Sequence, residues 1–246
     1  MPALKVTGVV VRTVNYRDYD RILTLVTREK GLVTVSARGV RRINARWRAA
    51  GQLFASGEFL LFSRGERHYL SQAELTSSWY ELRSDPEAMT HAAFIASVME
   101  AGSLPDHPND PLYALLLQAL ALYCYSEANV FAITDYVLVH ALRILGFAIR
   151  TQDCVRCHGR EPGLFSISSG GLVCAGCRSA VPDAKTLRPN VAAVLSALGT
   201  SSPKILQSLP FDAQAFRDLL RVLVAYTQYH LDHHFKAADL LYTFFT

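Results

Sequence analysis

The sequence has no apolar stretch long enough to cross a bilayer. Its longest charge-free apolar run lies between Asp110 and Glu127 and is about sixteen residues long, with Pro111 at its start and Gln118 inside it. A spanning helix needs about 20 such residues, so this run reads as a buried helix. The opening Met1-Pro2-Ala3-Leu4-Lys5-Val6-Thr7 lacks the charged region and apolar core of a secretory signal, which gives the expectation of a cytoplasmic protein with no membrane partner. A phosphate loop, a nucleophile elbow and a Gly-rich dinucleotide motif are all missing, so no motif argues for an enzyme. There is no internal repeat and no low-complexity segment. Charged residues make up only 19% of the 246 and apolar residues 50%, which excludes bulk disorder and suffices for two or three small domains with their own cores.

Cysteine is scarce, at five residues. Cytoplasmic thiols stay reduced, so the four that come in pairs are better suited to metal than to disulfides. Cys124 lies alone in an apolar helical run and reads as a core residue.

Carboxylates are missing altogether between Lys30 and Ala55, and the net charge of +4 conceals that asymmetry. Residues 1–80 hold thirteen Lys or Arg and six acids, a surplus of +7, while the remainder carries −3. A basic excess confined to one region points to a polyanionic partner.

Residues 1–80 alternate apolar and polar in short β-branched runs. Strands are expected at 6–14, 21–27, 32–37, 52–63 and 68–75, with a turn at Gly31 and a hairpin turn over Arg64-Gly65-Glu66-Arg67. Five short strands suit a small closed barrel such as an OB-fold, and an SH3-like barrel fits nearly as well. The period becomes helical near Asp85-Pro86, where Ser84 or Asp85 can cap and Pro86 takes the first helical position. Helices are expected to about Ala101, then over 112–126, 130–146, 190–198 and 203–208, with a long last one from Asp212 to about Lys236. Gly146 sits where a helix stop belongs. The expected architecture is multidomain α+β: an OB-fold at 1–80, an α-helical domain at 81–150 and 180–246, and an inserted cysteine module at 151–179.

That module opens with Cys154-Val155-Arg156-Cys157-His158, which alone reads as a c-type haem attachment site. The second pair, Cys174-Ala175-Gly176-Cys177, is followed by Arg178 and not by His, and haem attachment needs export. Taken together, two Cys-x-x-Cys pairs sixteen residues apart, bridged by a hairpin through Ser169-Gly170-Gly171, form a closed tetrahedral shell for one structural Zn²⁺. Such a shell leaves no open position for catalysis. Cys154, Cys157, Cys174 and Cys177 are the expected ligands, with His158 as a neighbour. Thiolate iron and a redox disulfide are the competing readings.

The segment Ser36 to Arg48 carries Arg38, Arg41, Arg42, Arg46 and Arg48 and no acid, with Trp47 among them and Gly39 letting the chain leave its strand tightly. Guanidinium forks suit phosphate oxygens, and an indole can stack on a base. These five arginines and Trp47 are the expected nucleic-acid contacts, with Lys5, Arg12 and Lys30 as outer candidates. The plainer alternative is a solvated loop with Trp47 tucked into the barrel. Asp18 and Asp20 read as surface ion pairs. His230 and His234, one helical turn apart, could bind a metal, but with only Asp232 beside them they read as a wet helix face.

The succession Gly8-Val9-Val10-Val11-Arg12-Thr13, Tyr16 to Thr24, Thr27-Arg28-Glu29-Lys30-Gly31-Leu32 and Ala37-Arg38-Gly39-Val40-Arg41-Arg42 resembles the RecO family of bacterial recombination mediators. Leu142-Arg143-Ile144-Leu145-Gly146-Phe147, followed by the paired cysteines around Gly170-Gly171, resembles that family's zinc region, and the likeness runs in order along the whole chain. It departs at Asp18, where members often carry Glu, and at Arg38, where they often carry Lys.

The resemblance implies binding of single- and double-stranded DNA without sequence preference, and annealing of complementary strands. It also implies partnership with RecR, binding of the acidic tail of single-strand DNA-binding protein, and indirect dealings with RecF and RecA at the nucleoid. A groove with a basic rim in the helical domain is expected for the tail. Arg156, Arg160 and Arg178 would let the zinc module touch DNA. The runner-up reading is an RNA-binding or transcription-associated OB and zinc-ribbon protein. A metalloenzyme using the C-terminal histidines comes third.

Overall fold

A computed structural model of the chain describes residues 3–159, 162–208 and 212–244. The chain divides into two compact units, Met1–Cys124 and Tyr125–Thr246.

The first unit begins with five strands: β1 (Ala3–Tyr16), β2 (Asp20–Thr27), β3 (Gly31–Ala37), β4 (Ser56–Arg64) and β5 (Arg67–Ser77). They close into a barrel in the order β1-β2-β3-β5-β4. The closure runs through a parallel pairing of β3 with β5, at Val35 with His68 and Ser36 with Tyr69, while β4 returns antiparallel to β1. This is the Greek-key closure of an OB-type barrel and decides against the SH3-like alternative. Strand β3 shows the alternation clearly: Val33, Val35 and Ala37 face the interior and Thr34 faces water. Val6, Val10, Leu23, Leu25, Val35, Phe59 and Leu61 are fully buried in the barrel core. Each such side chain stabilises the fold by about 1.5–3 kcal/mol. The Arg64–Arg67 hairpin turns through Gly65 at φ 62°.

Strand β4 starts at Ser56, four residues later than the alternation predicts. Residues 39–55 instead form a succession of tight turns. Phe54 is buried with a left-handed backbone at φ 68°, and its N–H donates to the Val10 carbonyl. A left-handed residue cannot sit inside a regular strand, so the strand begins beyond it.

Helix α1 (Pro86–Ala101) starts as expected: the Asp85 carboxylate accepts from the N–H groups of Glu87 and Ala88, and Pro86 occupies the first position. It packs against β1 and β2, which is why Val9 and Val11 are buried along with the inward-facing Val10. Helix α2 (Asp110–Tyr125) follows, with Cys124 only half-buried on it.

In the second unit, α3 (Val130–Ile144) is capped by Asn129 and ends in a Schellman turn. Gly146 at φ 89° donates to Arg143, and Phe147 donates to Leu142. A small sheet follows, with β6 (Pro162–Ser166), β7 (Gly171–Cys174) and β8 (Lys185–Thr186) in the order β7-β6-β8. The expected hairpin is present, and β8 extends the sheet past residue 179. Helices α4 (Pro189–Thr200), α5 (Ile205–Ser208), α6 (Ala213–His230) and α7 (Lys236–Leu241) complete the unit.

The long last helix is therefore broken at His230. Asp232 takes a left-handed backbone at φ 46° and donates to Tyr229, while His233 donates to Gln228. That is a second Schellman turn, with Asp in the place glycine usually holds. No helix among the described residues is long and apolar enough to cross a membrane.

Candidate nucleic-acid interface and metal centre

The basic segment is fastened to the turn between β1 and β2. The Asp20 carboxylate accepts from the Gly39 N–H at 2.7 Å, and the Arg41 N–H donates to the Tyr19 carbonyl at 2.9 Å. The Arg41 guanidinium reaches the Asp18 carbonyl at 3.1 Å. The Asp20 carboxylate and the Asp18 carbonyl thus hold this junction, and the surface ion pairs expected of the two residues do not occur among the described residues. Gly39, at φ 65°, makes the sharp exit from β3.

The five arginines divide into two groups. Arg41 and Arg48 turn back onto loop carbonyls, Arg48 reaching Ile43 at 3.4 Å. Arg38, Arg42 and Arg46 lie over aromatic rings: Arg38 over Tyr69 at 4.6 Å, Arg42 over Tyr19 at 5.2 Å and Arg46 over Trp47 at 4.6 Å. Arg17 lies over Tyr16 at 5.2 Å. Each distance is within cation–π range. Two adjoining clefts of about 400 and 430 Å³ share Arg38, Gly39 and Arg42. The first runs to Arg17 and Tyr19, the second to Arg46 and Trp47. The two clefts together present guanidinium groups and rings, with Asp18 and Asp20 among the lining of the first. Charge for phosphate and a flat face for a base thus occur at the same places.

Trp47 is half-buried against the barrel core, with Arg46 over its face. The outer candidates each hold a carboxylate: Lys5 with Glu58 at 2.9 Å, Arg12 with Glu100 at 2.7 Å and Lys30 with Asp106 at 2.9 Å. The Lys30 ammonium holds the Asp106 carboxyl below its ordinary range. Exposed pairs of this kind are weak.

Sequence reasoning missed Arg17, Tyr16, Tyr19 and Tyr69. The run Tyr16-Arg17-Asp18-Tyr19 is itself an alternation of aromatic and charge in a turn, and could have marked the first three. Tyr69 had no local signal, because it meets Arg38 only through the parallel β3–β5 pairing.

The metal centre lies in the second unit. The sulfurs of Cys154, Cys157, Cys174 and Cys177 all fall within 4.8 Å of one another, with Cys157 and Cys174 at 3.6 Å. A tetrahedral ZnS₄ shell with bonds of about 2.3 Å has edges of about 3.8 Å, so the set fits such an ion. Backbone N–H groups of Cys157, Cys174 and Arg156 aim at the Cys154 sulfur and pull its thiol down to about 6. The neighbouring thiols and burial push Cys177 up to about 12. Four thiols gathered this closely cannot all ionise unless a cation neutralises them.

The approach of the two arms is set by Gly171, where a Cβ would stand 2.3 Å from the Arg150 carbonyl oxygen. Arg150 and Gly171 form a parallel bridge there. His158 stays outside the sulfur set, its Nδ1 2.9 Å from the Arg150 guanidinium.

His230 Nε2 lies 2.9 Å from the Ile167 carbonyl, with its ring 4.2 Å from that of Tyr226, so it fastens the β6–β7 hairpin to α6. His234 Nδ1 instead meets Gln228 Oε1. The broken helix thus sends the two histidines to different partners, and the one-turn spacing expected of a metal pair is not realised. Arg156 and Arg178 are exposed, while Arg160 lies outside the described residues. A cleft of about 880 Å³ beside α3 is lined by Tyr125, Asn129, Ala132, Leu206 and Phe216, and the charged group among its described lining is Glu127. No basic side chain stands among its described lining, so the basic rim expected for an acidic tail is not found there.

Residues 1–79 match the family profile described as Recombination protein O N terminal, and residues 83–239 match Recombination protein O C terminal. A DNA repair protein RecO from Bacillus pumilus is 31% identical over 241 residues, covering 97% of this chain and 90% of its own. One from Desulforudis audaxviator is 30% identical over 243 residues, 98% of this chain and 97% of its own. One from Exiguobacterium is 37% identical over 173 residues, 70% of this chain and 69% of its own.

Proposed function

The chain belongs to the RecO family of DNA repair proteins, and from that premise we propose that it is a recombination mediator that binds and anneals DNA. In this reading it holds single and double strands without sequence preference. With RecR, and in company with RecF, it helps RecA displace single-strand DNA-binding protein, whose acidic tail it engages. Residues 1–80 carry the DNA, residues 81–150 and 180–246 form the helical domain, and residues 151–179 form the cysteine module.

The observation that carries the proposal is the joined pair of clefts around Gly39, lined by Arg38, Arg42, Arg46, Tyr19 and Trp47, with the Tyr69 ring beneath the Arg38 guanidinium. Phosphate charge and π-faces are common to every strand, so such a surface grips without reading sequence. Annealing requires two polyanions side by side, and one basic surface can lower the repulsion for both. Lys5, Arg12 and Lys30 would join by giving up their carboxylates, and Arg41 and Arg48 support the loop while adding charge.

We assign the cysteine set to one structural Zn²⁺ held by Cys154, Cys157, Cys174 and Cys177. The ion would neutralise the thiolates and tie the two arms of the module together.

The deciding experiment is annealing of two complementary labelled strands, both coated with single-strand DNA-binding protein, with and without this chain. Acceleration is expected. Binding of coated strands without acceleration would overturn the mediator reading. A preference for RNA over DNA of the same sequence would replace it with an RNA-binding role.

A further inference from the structure

Ile43 is 84% exposed, the highest value among the exposed large apolar side chains, above Tyr80 at 68% and Leu104 at 60%. It stands in the segment that carries Arg41, Arg42, Arg46 and Arg48 and no carboxylate. Neither burial nor local propensity accounts for it. An isoleucine in water gains nothing from the hydrophobic effect, and a β-branched residue belongs in a strand, not in a turn.

The backbone beneath Ile43 is nonetheless held. Arg42 donates to Gly39 and Ala45 donates to Arg42, both at 3.1 Å, and the Ile43 carbonyl accepts from the Arg48 guanidinium. The two ends of the loop are fastened together below it. Val40 is buried against Gly51, so closely that a Cβ at 51 would stand 2.6 Å from a Val40 methyl. The Arg21 guanidinium also donates to the Gly51 carbonyl at 2.6 Å. Ile43 is therefore an apolar tip on an anchored basic loop, between the arginines that border the two clefts.

We propose that Ile43 is a wedge that enters between adjacent bases of the strand held by this loop. The inference rests on the nucleic-acid reading and adds to it. Arginines on either side draw the phosphates to the tip, and base faces are the apolar surface such a strand offers to a side chain. Proteins that kink or unstack DNA insert small apolar residues of this kind between base steps. A strand unstacked at the point of contact cannot fold on itself and presents its bases to a complement. The wedge thus links grip to annealing.

The test uses the full chain and a single strand carrying the fluorescent adenine analogue aminopurine, whose emission rises when it is unstacked. Binding is followed in parallel by anisotropy of an end-labelled strand. The wild-type chain is expected to raise the emission at saturation. Ile43→Ser, brought to the same saturation as judged by anisotropy, is expected to lose most of the rise. Ile43→Leu is expected to keep it. Equal emission from wild type and Ile43→Ser at saturation would overturn the wedge while leaving DNA binding in place, as would wild-type binding with no rise. Absence of binding by the wild-type chain would instead remove the nucleic-acid reading itself.

Discussion

The guanidinium of Arg38, just past the end of β3, lies 4.6 Å from the ring centre of Tyr69 in β5, across the parallel pairing of the two strands. A charge and a π-face are thus held together by the barrel closure itself. Neither has to search for the other when a strand arrives, which reduces the ordering cost of binding.

Replacing Arg38, Arg42 and Arg46 together by alanine is expected to weaken DNA binding and to flatten its salt dependence. The log–log slope should fall by about two to three units, at slightly under one per lost phosphate contact. Titration at several salt concentrations measures this, and an unchanged slope would remove these residues from the site.

Tyr19→Ala and Tyr69→Ala are expected to discriminate between single strands and duplex. Base stacking on an aromatic face contributes about 1–3 kcal/mol per base and is open only to unpaired bases. Single-strand affinity should drop by about tenfold or more and duplex affinity much less. Equal losses on both would mean that the tyrosines merely position Arg42 and Arg38.

Removal of the metal is expected to loosen the small sheet of the second unit and leave the barrel untouched. Cys154, Leu164, Val173, Val181 and Ala184 form the core there, a small one for which the proposed ion would supply much of the stability. Hydrogen exchange after chelation should rise in β6 and β7 and stay constant in β1–β5. Cys174→Ser should reproduce the pattern. Exchange that rises equally in both units would refute this.

Asp135 in α3 is completely buried, and neither carboxylate oxygen has a hydrogen-bond partner among the described residues. Burial raises its carboxyl well above the ordinary carboxylate range. The folded chain therefore keeps a proton that the unfolded chain releases above its ordinary value, about 3.9. The stability associated with this group is fully present below that value and declines as pH rises toward the folded one. Asp135→Asn should remove that decline, so that the variant gains stability relative to wild type as pH rises. Denaturant unfolding of the variant and wild type at pH 5 and pH 8 measures this, and a difference between them that stays the same at both pH values would refute it.

Features encoded within a few residues are legible in the sequence alone. Asp85-Pro86 starts a helix, Gly146 ends one, Gly65 turns a hairpin, and the cysteine spacing foretells the cluster, because each depends on neighbours along the chain. What escapes such reading is non-local or atypical. Tyr69 meets Arg38, and Lys5, Arg12 and Lys30 find their carboxylates, only once distant segments come together. The break after His230 is hidden because Leu231 continues the apolar stripe and Asp232 takes the role usually marked by glycine. Strand β8, at two residues, is too short to leave a pattern.

The fastening of Val40 to Gly51 has a consequence for how this surface can change. The loop closes on the barrel at its base, through contacts that do not involve the residues at its tip. Residues 43–46 are in effect an exchangeable cassette. Their charge, length and tip residue can be recomposed without disturbing the barrel, so the loop can be redesigned while the fold beneath it stays fixed.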